Sequence, residues 1–112
     1  MDSLQTELSG TGVVWTLKLI GSLGSNVHHL MWGEESSAAL LAKLKRAQAK
    51  ALHIDVAKTE RLDSQALRLL LNAHKDFSQE QIDVVLKNPN DHLNRLLHIM
   101  QFDKIFLIEF DN

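Results

Sequence analysis

The sequence predicts an α/β domain, and three observations carry that expectation. Short runs of alternating apolar and polar residues recur at 13–20, 51–57, 82–87 and 105–110, with the period of a half-buried strand. Between them, leucines fall three and four apart, the period of a helix with one apolar face. The chain has 112 residues, 45% hydrophobic and 23% charged, which suits one packed domain and leaves no room for a second. Strands alternating with helices long enough for crossovers make a layered domain rather than a helical bundle. The expectation is a mixed sheet of four to five strands with helices packed mainly on one face.

Each element has its own warrant. Residues 1–12 read as a flexible or edge leader, and the domain as residues 13–112. In the strand 13–20, Trp15, Leu17 and Leu19 share one face, while Val14, Thr16, Lys18 and Ile20 share the other. Gly21-Ser22-Leu23-Gly24-Ser25-Asn26 has the chemistry of a turn that ends it. Residues 27–33 suit a short strand, a helical turn or a loop equally. A helix follows from Ser36-Ser37 to about Lys50, with Leu40, Leu41, Leu44 and Ala47 opposite Lys43, Lys45, Arg46 and Lys50. Two glutamates precede that helix and lysines close it, in agreement with its dipole.

Leu52, Ile54 and Val56 alternate in a central strand. Asp63-Ser64-Gln65 opens the next helix, Ala66–Asp76, whose stripe is Leu67, Leu70, Leu71 and His74. Ile82–Lys87 alternates again, and Asn88-Pro89-Asn90 stops it. Asn90 or Asp91 can cap the last helix, lined by Leu93, Leu96, Leu97 and Met100. A turn over Gln101–Lys104 leads to a final strand, Ile105–Phe110.

Composition narrows the function classes. Twelve Lys and Arg against 14 Asp and Glu leave a formal net charge of −2, which is no field for a phosphate backbone. The absence of cysteine removes disulfides, thiolate chemistry, iron–sulfur clusters and sulfur-rich zinc sites. No signal-peptide pattern and no run of bilayer length is present, so a cytoplasmic protein is expected. Of the six histidines, His28 and His29 are adjacent, His92 and His98 point in different directions on a helix, and His74 lies in an apolar stripe. With no HExxH spacing, neither a metal site nor a cofactor is expected.

Gly21-Ser22-Leu23-Gly24 is not a dinucleotide fingerprint, and the serines lack the G-x-S-x-G elbow. His53 and Asp55 can share a strand face, yet no nucleophile accompanies them, so no catalytic residue is assigned. Phe102, Phe106 and Phe110 suit either core packing or a binding patch.

From Leu52 onward the residues carry a family likeness. LHIDVAKTERLDSQALRLLLNAHK resembles the core of STAS domains, the sulfate transporter and anti-sigma-factor-antagonist family. Members of that family have a strand ending in aspartate, a short loop, Asp-Ser-Ser-Gly-Leu or Asp-Thr-Gly-Gly-Leu, and a Leu-rich helix. VVLKNPNDHLNRLLHIMQFDKIFLI resembles their next strand, Asn-Pro turn, Arg-Leu-Leu helix and closing Leu-Asp-x-Leu-Phe segment. Gly21-Ser22-Leu23-Gly24 matches their early Gly-x-Leu-Asp turn, with Gly24 in place of the aspartate.

The likeness covers about residues 13–110. It implies a STAS-like fold and a non-catalytic regulatory domain that binds proteins. The implied partner is a serine-kinase-like anti-sigma factor or a transport ATPase, the chain then being the cytoplasmic STAS subunit of a lipid-transport ATPase. A small-ligand-sensing module built on residues 27–33 is the alternative.

The decisive comparison is at Asp63-Ser64-Gln65-Ala66-Leu67. In kinase-switched members the acceptor is the second residue after the aspartate, and here that residue is Gln65. Ser64 matches the preceding hydroxyl and is the possible phosphorylation site, while Ala66 replaces the family's glycine. The expected partner-binding residues are Lys58, Arg61, Asp63, Ser64, Gln65 and Arg68, on the loop Lys58–Ser64 and the helix start Gln65–Leu71. Asp63 and Ser64 also suit helix capping. A phosphate on Ser64 would add a charge of about −1.5 to −2, repelled by Asp63 and softened by Lys58, Arg61 and Arg68.

Overall fold

The computed structural model describes residues 5–23, 31–32, 35–62 and 64–111. In chain order they form β1 (Gln5–Thr11), β2 (Val14–Leu23), β3 (Met31–Trp32), β4 (Glu35–Ser36) and α1 (Ser37–Arg46). There follow β5 (Ala51–Asp55), β6 (Thr59–Leu62), α2 (Ser64–Gln79), β7 (Asp83–Lys87) and α3 (Asp91–Ile99). A 3-10 turn (Phe102–Lys104) and β8 (Leu107–Glu109) complete them. The main sheet has the order β1-β2-β5-β7-β8, with β6 added on β2. β1 pairs antiparallel to β2, and the other neighbours are parallel. The sheet is therefore mixed, as expected, with the alternating strands parallel and β1 antiparallel. It has six strands rather than four or five, because part of the leader forms β1 and the segment after β5 forms β6.

The first hairpin is set by glycines. Gly12 takes φ 70 in the first position of the two-residue turn, where hairpins require a residue free to adopt positive φ. Gly10, at φ 132, lies opposite Trp15, and a Cβ there would come within 2.7 Å of the Val14 carbonyl oxygen. The indole Nε1 of Trp15 donates to the Gly12 carbonyl at 3.1 Å.

Several boundaries differ from the sequence expectation, each for a local reason. β2 runs on to Leu23, because its far end finds β6 as a new parallel partner after a register shift between Gly21 and Ser22. Gly21 therefore does not end the strand; the register slips there, with Glu60 the extra residue on β6. α1 stops at Arg46 because the backbone reverses at Gln48, and the Lys50 and Ala51 amides bond the Val13 carbonyl. In the last segment, Phe102–Lys104 winds into a 3-10 turn and only Leu107–Glu109 joins the sheet.

One sheet face holds the core. Leu17 and Leu19 of β2, Leu52 and Ile54 of β5, and Val84 and Leu86 of β7 pack with Leu40 and Leu44 of α1, Leu69, Leu70 and Phe77 of α2, and Leu97 of α3. Leu67 and Leu70 of the expected α2 stripe are buried, together with Ala66, Leu69, Ala73 and Phe77, whereas Leu71 is 37% exposed. At 100° per residue, three successive leucines cannot all face inward, and Leu71 is the one turned out.

On the opposite face, register places Glu7, Lys18, Asp55, Lys87 and Glu109 in one row across β1, β2, β5, β7 and β8. Their signs alternate along the row.

Candidate functional site

The expected surface residues arrive at one end of the sheet through a turn, a strand and a helix start. β5 ends at Asp55, whose Oδ1 accepts the Ala57 amide at 2.9 Å. The Thr59 amide bonds the Val56 carbonyl at 3.1 Å, closing a turn after which the chain resumes the direction of β5, since β5 and β6 both run parallel to β2. The Lys58 carbonyl then accepts the Gly21 amide at 3.0 Å. From there β6 follows the overhang of β2, with Gly21 opposite Thr59, Ser22 opposite Arg61 and Leu23 opposite Leu62.

Thr59 is almost wholly buried, and its Oγ1 donates to the Leu19 carbonyl at 2.8 Å. A buried hydroxyl with a backbone partner fastens the start of β6 to β2. α2 begins two residues after β6.

Lys58 and Arg61 are exposed on the turn and on β6, and Arg68 is exposed on α2. Ser64 and Gln65 are the first two residues of α2. Asp63 lies outside the described residues. On α2, positions 64, 68 and 71 are spaced four and three apart, so they share one stripe of the helix. That stripe includes the exposed Leu71. Ala66 is fully buried, so the methyl at the position of the family's glycine belongs to the core.

Sequence reasoning missed several neighbours. A cleft of about 160 Å³ lies beside this surface, lined by Lys18, Leu19, Ile20, Asp55, Ala57 and Lys58. Lys18 comes from a strand 40 residues upstream of Lys58, and only the parallel pairing of β2 with β5 brings them together. The tie through Thr59 also left no mark in the periodicity, because a threonine in a polar run reads as loop.

Other candidates separate. His53 and Asp55 share the open face of β5, half-buried, but the Oδ1 of Asp55 is occupied by the Ala57 amide. Among the described residues, no three His, Asp or Glu side chains come together as a metal site. His28 and His29, with most of the segment 27–33, lie outside the described residues, while Met31–Trp32 pairs with Glu35–Ser36. Phe102 and Phe106 stack with ring centroids 5.6 Å apart in the core, and Phe110 is exposed. No helix among the described residues is long and apolar enough to cross a membrane.

The strongest electrostatic cluster lies two strands away from β2. Lys87 Nζ is 2.8 Å from Asp111 Oδ1 and 3.2 Å from Glu109 Oε1. The hydrogen bond to Asp111 raises the Lys87 ammonium above its usual range, with desolvation opposing it and Glu109 adding to the rise. The same bond, followed by one from Asn88, lowers the Asp111 carboxyl. This cluster ties the chain beyond β8 to the end of β7. It adds nothing to the β6–α2 surface.

Comparison with known proteins agrees with this geometry. The family model described as Mlab, STAS domain, matches residues 6–109. A putative anti-sigma factor antagonist from Thermotoga maritima superposes with a TM-score of 0.69 at 19% identity, covering 97% of this chain and 86% of that one. The anti-sigma factor antagonist SpoIIAA in its unphosphorylated form gives 0.65 at 16% identity over 98% and 89%. An anti-sigma factor antagonist from Mycobacterium paratuberculosis gives 0.65 at 22% identity over 96% and 86%. At these identities the structures show a shared SpoIIAA-like fold. Among curated proteins, none matches the chain.

Proposed function

Since the chain belongs to the STAS domain family, we propose that it is a non-catalytic, cytoplasmic regulatory domain that binds a protein partner through β6 and the first two turns of α2. The observation that carries this reading is Leu71. It is a large apolar side chain exposed on the helix stripe that contains positions 64 and 68, while Lys58 and Arg61 are exposed on the turn and strand that lead into the same helix. An exposed leucine beside an arginine one helix turn away suits a protein contact, since apolar side chains and Arg are both used in such contacts. The partner-binding residues are Lys58, Arg61, Asp63, Ser64, Gln65 and Arg68, joined now by Leu71.

Gln65 favours one class of partner within this reading. The resemblance places Gln65 where kinase-switched members carry the acceptor hydroxyl, and an amide cannot accept a phosphate. A contact with no such switch fits the STAS subunit of a transport ATPase better than an antagonist released by an anti-sigma kinase. Incubation with ATP and a serine-kinase-like anti-sigma factor should leave the intact mass unchanged. A stoichiometric phosphate mapped to Ser64 would return the chain to the switched class.

The surface is tested by substitution. Partner recovered on the wild-type domain is identified, purified and titrated calorimetrically against Leu71→Asp and Ser64→Glu. Leu71→Asp should weaken binding about tenfold or more while stability moves by no more than about 0.5 kcal/mol, as for other exposed positions. Ser64→Glu should cost about 0.5–2 kcal/mol of folding, with a larger loss in binding through like-charge repulsion and desolvation. Unchanged affinity in both variants would remove this surface.

A further inference from the structure

β6 depends on side chains for its position. It has four residues, pairs only with β2 among the described strands, and follows a register shift. Two side-chain bonds hold its first residue. The Thr59 hydroxyl donates to the Leu19 carbonyl at 2.8 Å. Asn90 Nδ2 donates to the Thr59 carbonyl at 3.3 Å across 31 residues of chain.

Asn90 has a second duty. It is the N-cap of α3, with φ −68 and ψ 171, and its Oδ1 accepts the Leu93 amide at 2.8 Å. Asp and Ser would cap that helix about as well, and Asp would also favour its dipole. Neither carries the amide N–H that reaches Thr59. Capping alone therefore does not account for asparagine, and the bond to β6 does.

We propose that Asn90 is a positioning residue for the partner surface: through the Thr59 carbonyl it sets where β6, and with it the start of α2, stands for binding. This role rests on the proposed function above. The physical consequence is a population effect. Without the amide, β6 leaves its binding position more often, and apparent affinity falls in proportion to the competent fraction.

The test uses the full chain with Asn90→Asp, and Asn90→Ser as the second variant, since both keep a capping oxygen. The urea midpoint and the exchange of β5 and β7 amides should stay at wild-type values. Exchange of the amides at 60–62 should speed up by about three- to tenfold, the range a net hydrogen bond supports. Affinity for the partner identified on the wild-type domain should fall in both variants by no more than that factor, because apparent Kd rises only as the competent fraction falls, with the loss carried by slower association and dissociation unchanged.

Unchanged affinity in both variants, while Leu71→Asp still weakens binding, would overturn the role of Asn90 and leave the surface standing. A fall in the urea midpoint with faster exchange throughout would show that Asn90 acts only as a cap, and would also overturn it. If Leu71→Asp and Ser64→Glu have no effect, the surface is wrong and the positioning role falls with it.

Discussion

Leu70 and Leu71 are neighbours with opposite environments, and the difference sets what each can be asked to do. Leu70 is fully buried against the sheet, so Leu70→Ala removes transfer energy and leaves a cavity that closes only in part. The expected cost is about 2–5 kcal/mol by urea titration, and a loss below about 0.5 kcal/mol would contradict its place in the core. The pair of Lys87 and Asp111 gives a second expectation at this scale. Asp111 has a lowered carboxyl pKa, so its share of stability is present above the ordinary value of 3.8 and is lost as pH falls through the depressed one. Lys87 is raised, so its share holds below 10.5 and is lost as pH rises through the elevated value. In the acid window, NMR resonances of Asn88 and Asp111 should shift together, at a pH below the ordinary carboxylate value. Movement at ordinary carboxylate pH would refute the pairing.

The helices share a way of stopping. Gln48 and Gln81 adopt left-handed backbone, at φ 58 in both cases, immediately after α1 and α2. At α1 the Gln48 amide bonds Lys45 and the Ala49 amide bonds Leu44; at α2 the Gln81 amide bonds Ser78 and the Ile82 amide bonds Phe77. Both are Schellman turns, and each brings a buried residue beyond the turn onto a buried residue of the helix. Glycine is the usual occupant of the left-handed position, where a Cβ is strained. Gln81→Gly should therefore stabilise the protein by about 0.5–1 kcal/mol in thermal or urea unfolding, with a loss of stability refuting the strain. Because glutamine is a good helix former, it gave no sign of these stops, and the first helix was expected to reach Lys50. β6 was illegible for a different reason. Thr59-Glu60-Arg61-Leu62 has too little alternation to announce a strand, and its pairing exists because β2 extends past the end of β5.

Across the whole molecule, the sheet has a covered face and an open one. The open face is kept in water by the row Glu7, Lys18, Asp55, Lys87 and Glu109, where every cross-strand neighbour has the opposite sign. Lys18→Glu would set three carboxylates side by side on β1, β2 and β5. It should cost about 1 kcal/mol at low ionic strength, from two reversed pairs, and most of that should return at high salt. A loss of stability independent of salt would mean that the lysine stem, not its charge, matters there. The half-buried His53 and the buried Val85 lie in the adjoining register, so the open face is neither wholly polar nor a second core.

The sequence alone determined what depends on local period and composition. The alternation of strands and helices, the inward face of Leu52, Ile54 and Val56, a cap at Asn90 or Asp91, and the family likeness around Asp63-Ser64-Gln65 were all legible there. Each is written in residues a few positions apart, because side-chain direction repeats every two residues in a strand and every 3.6 in a helix. Tertiary structure decided what depends on residues distant in the chain. It chose Leu71 as the leucine left outside, made a strand of β6, aligned five charges across the sheet, and set Lys18 beside Lys58 and Asn90 against Thr59. Those outcomes follow from register and from which strands become neighbours, and neither quantity is encoded in any single stretch of sequence.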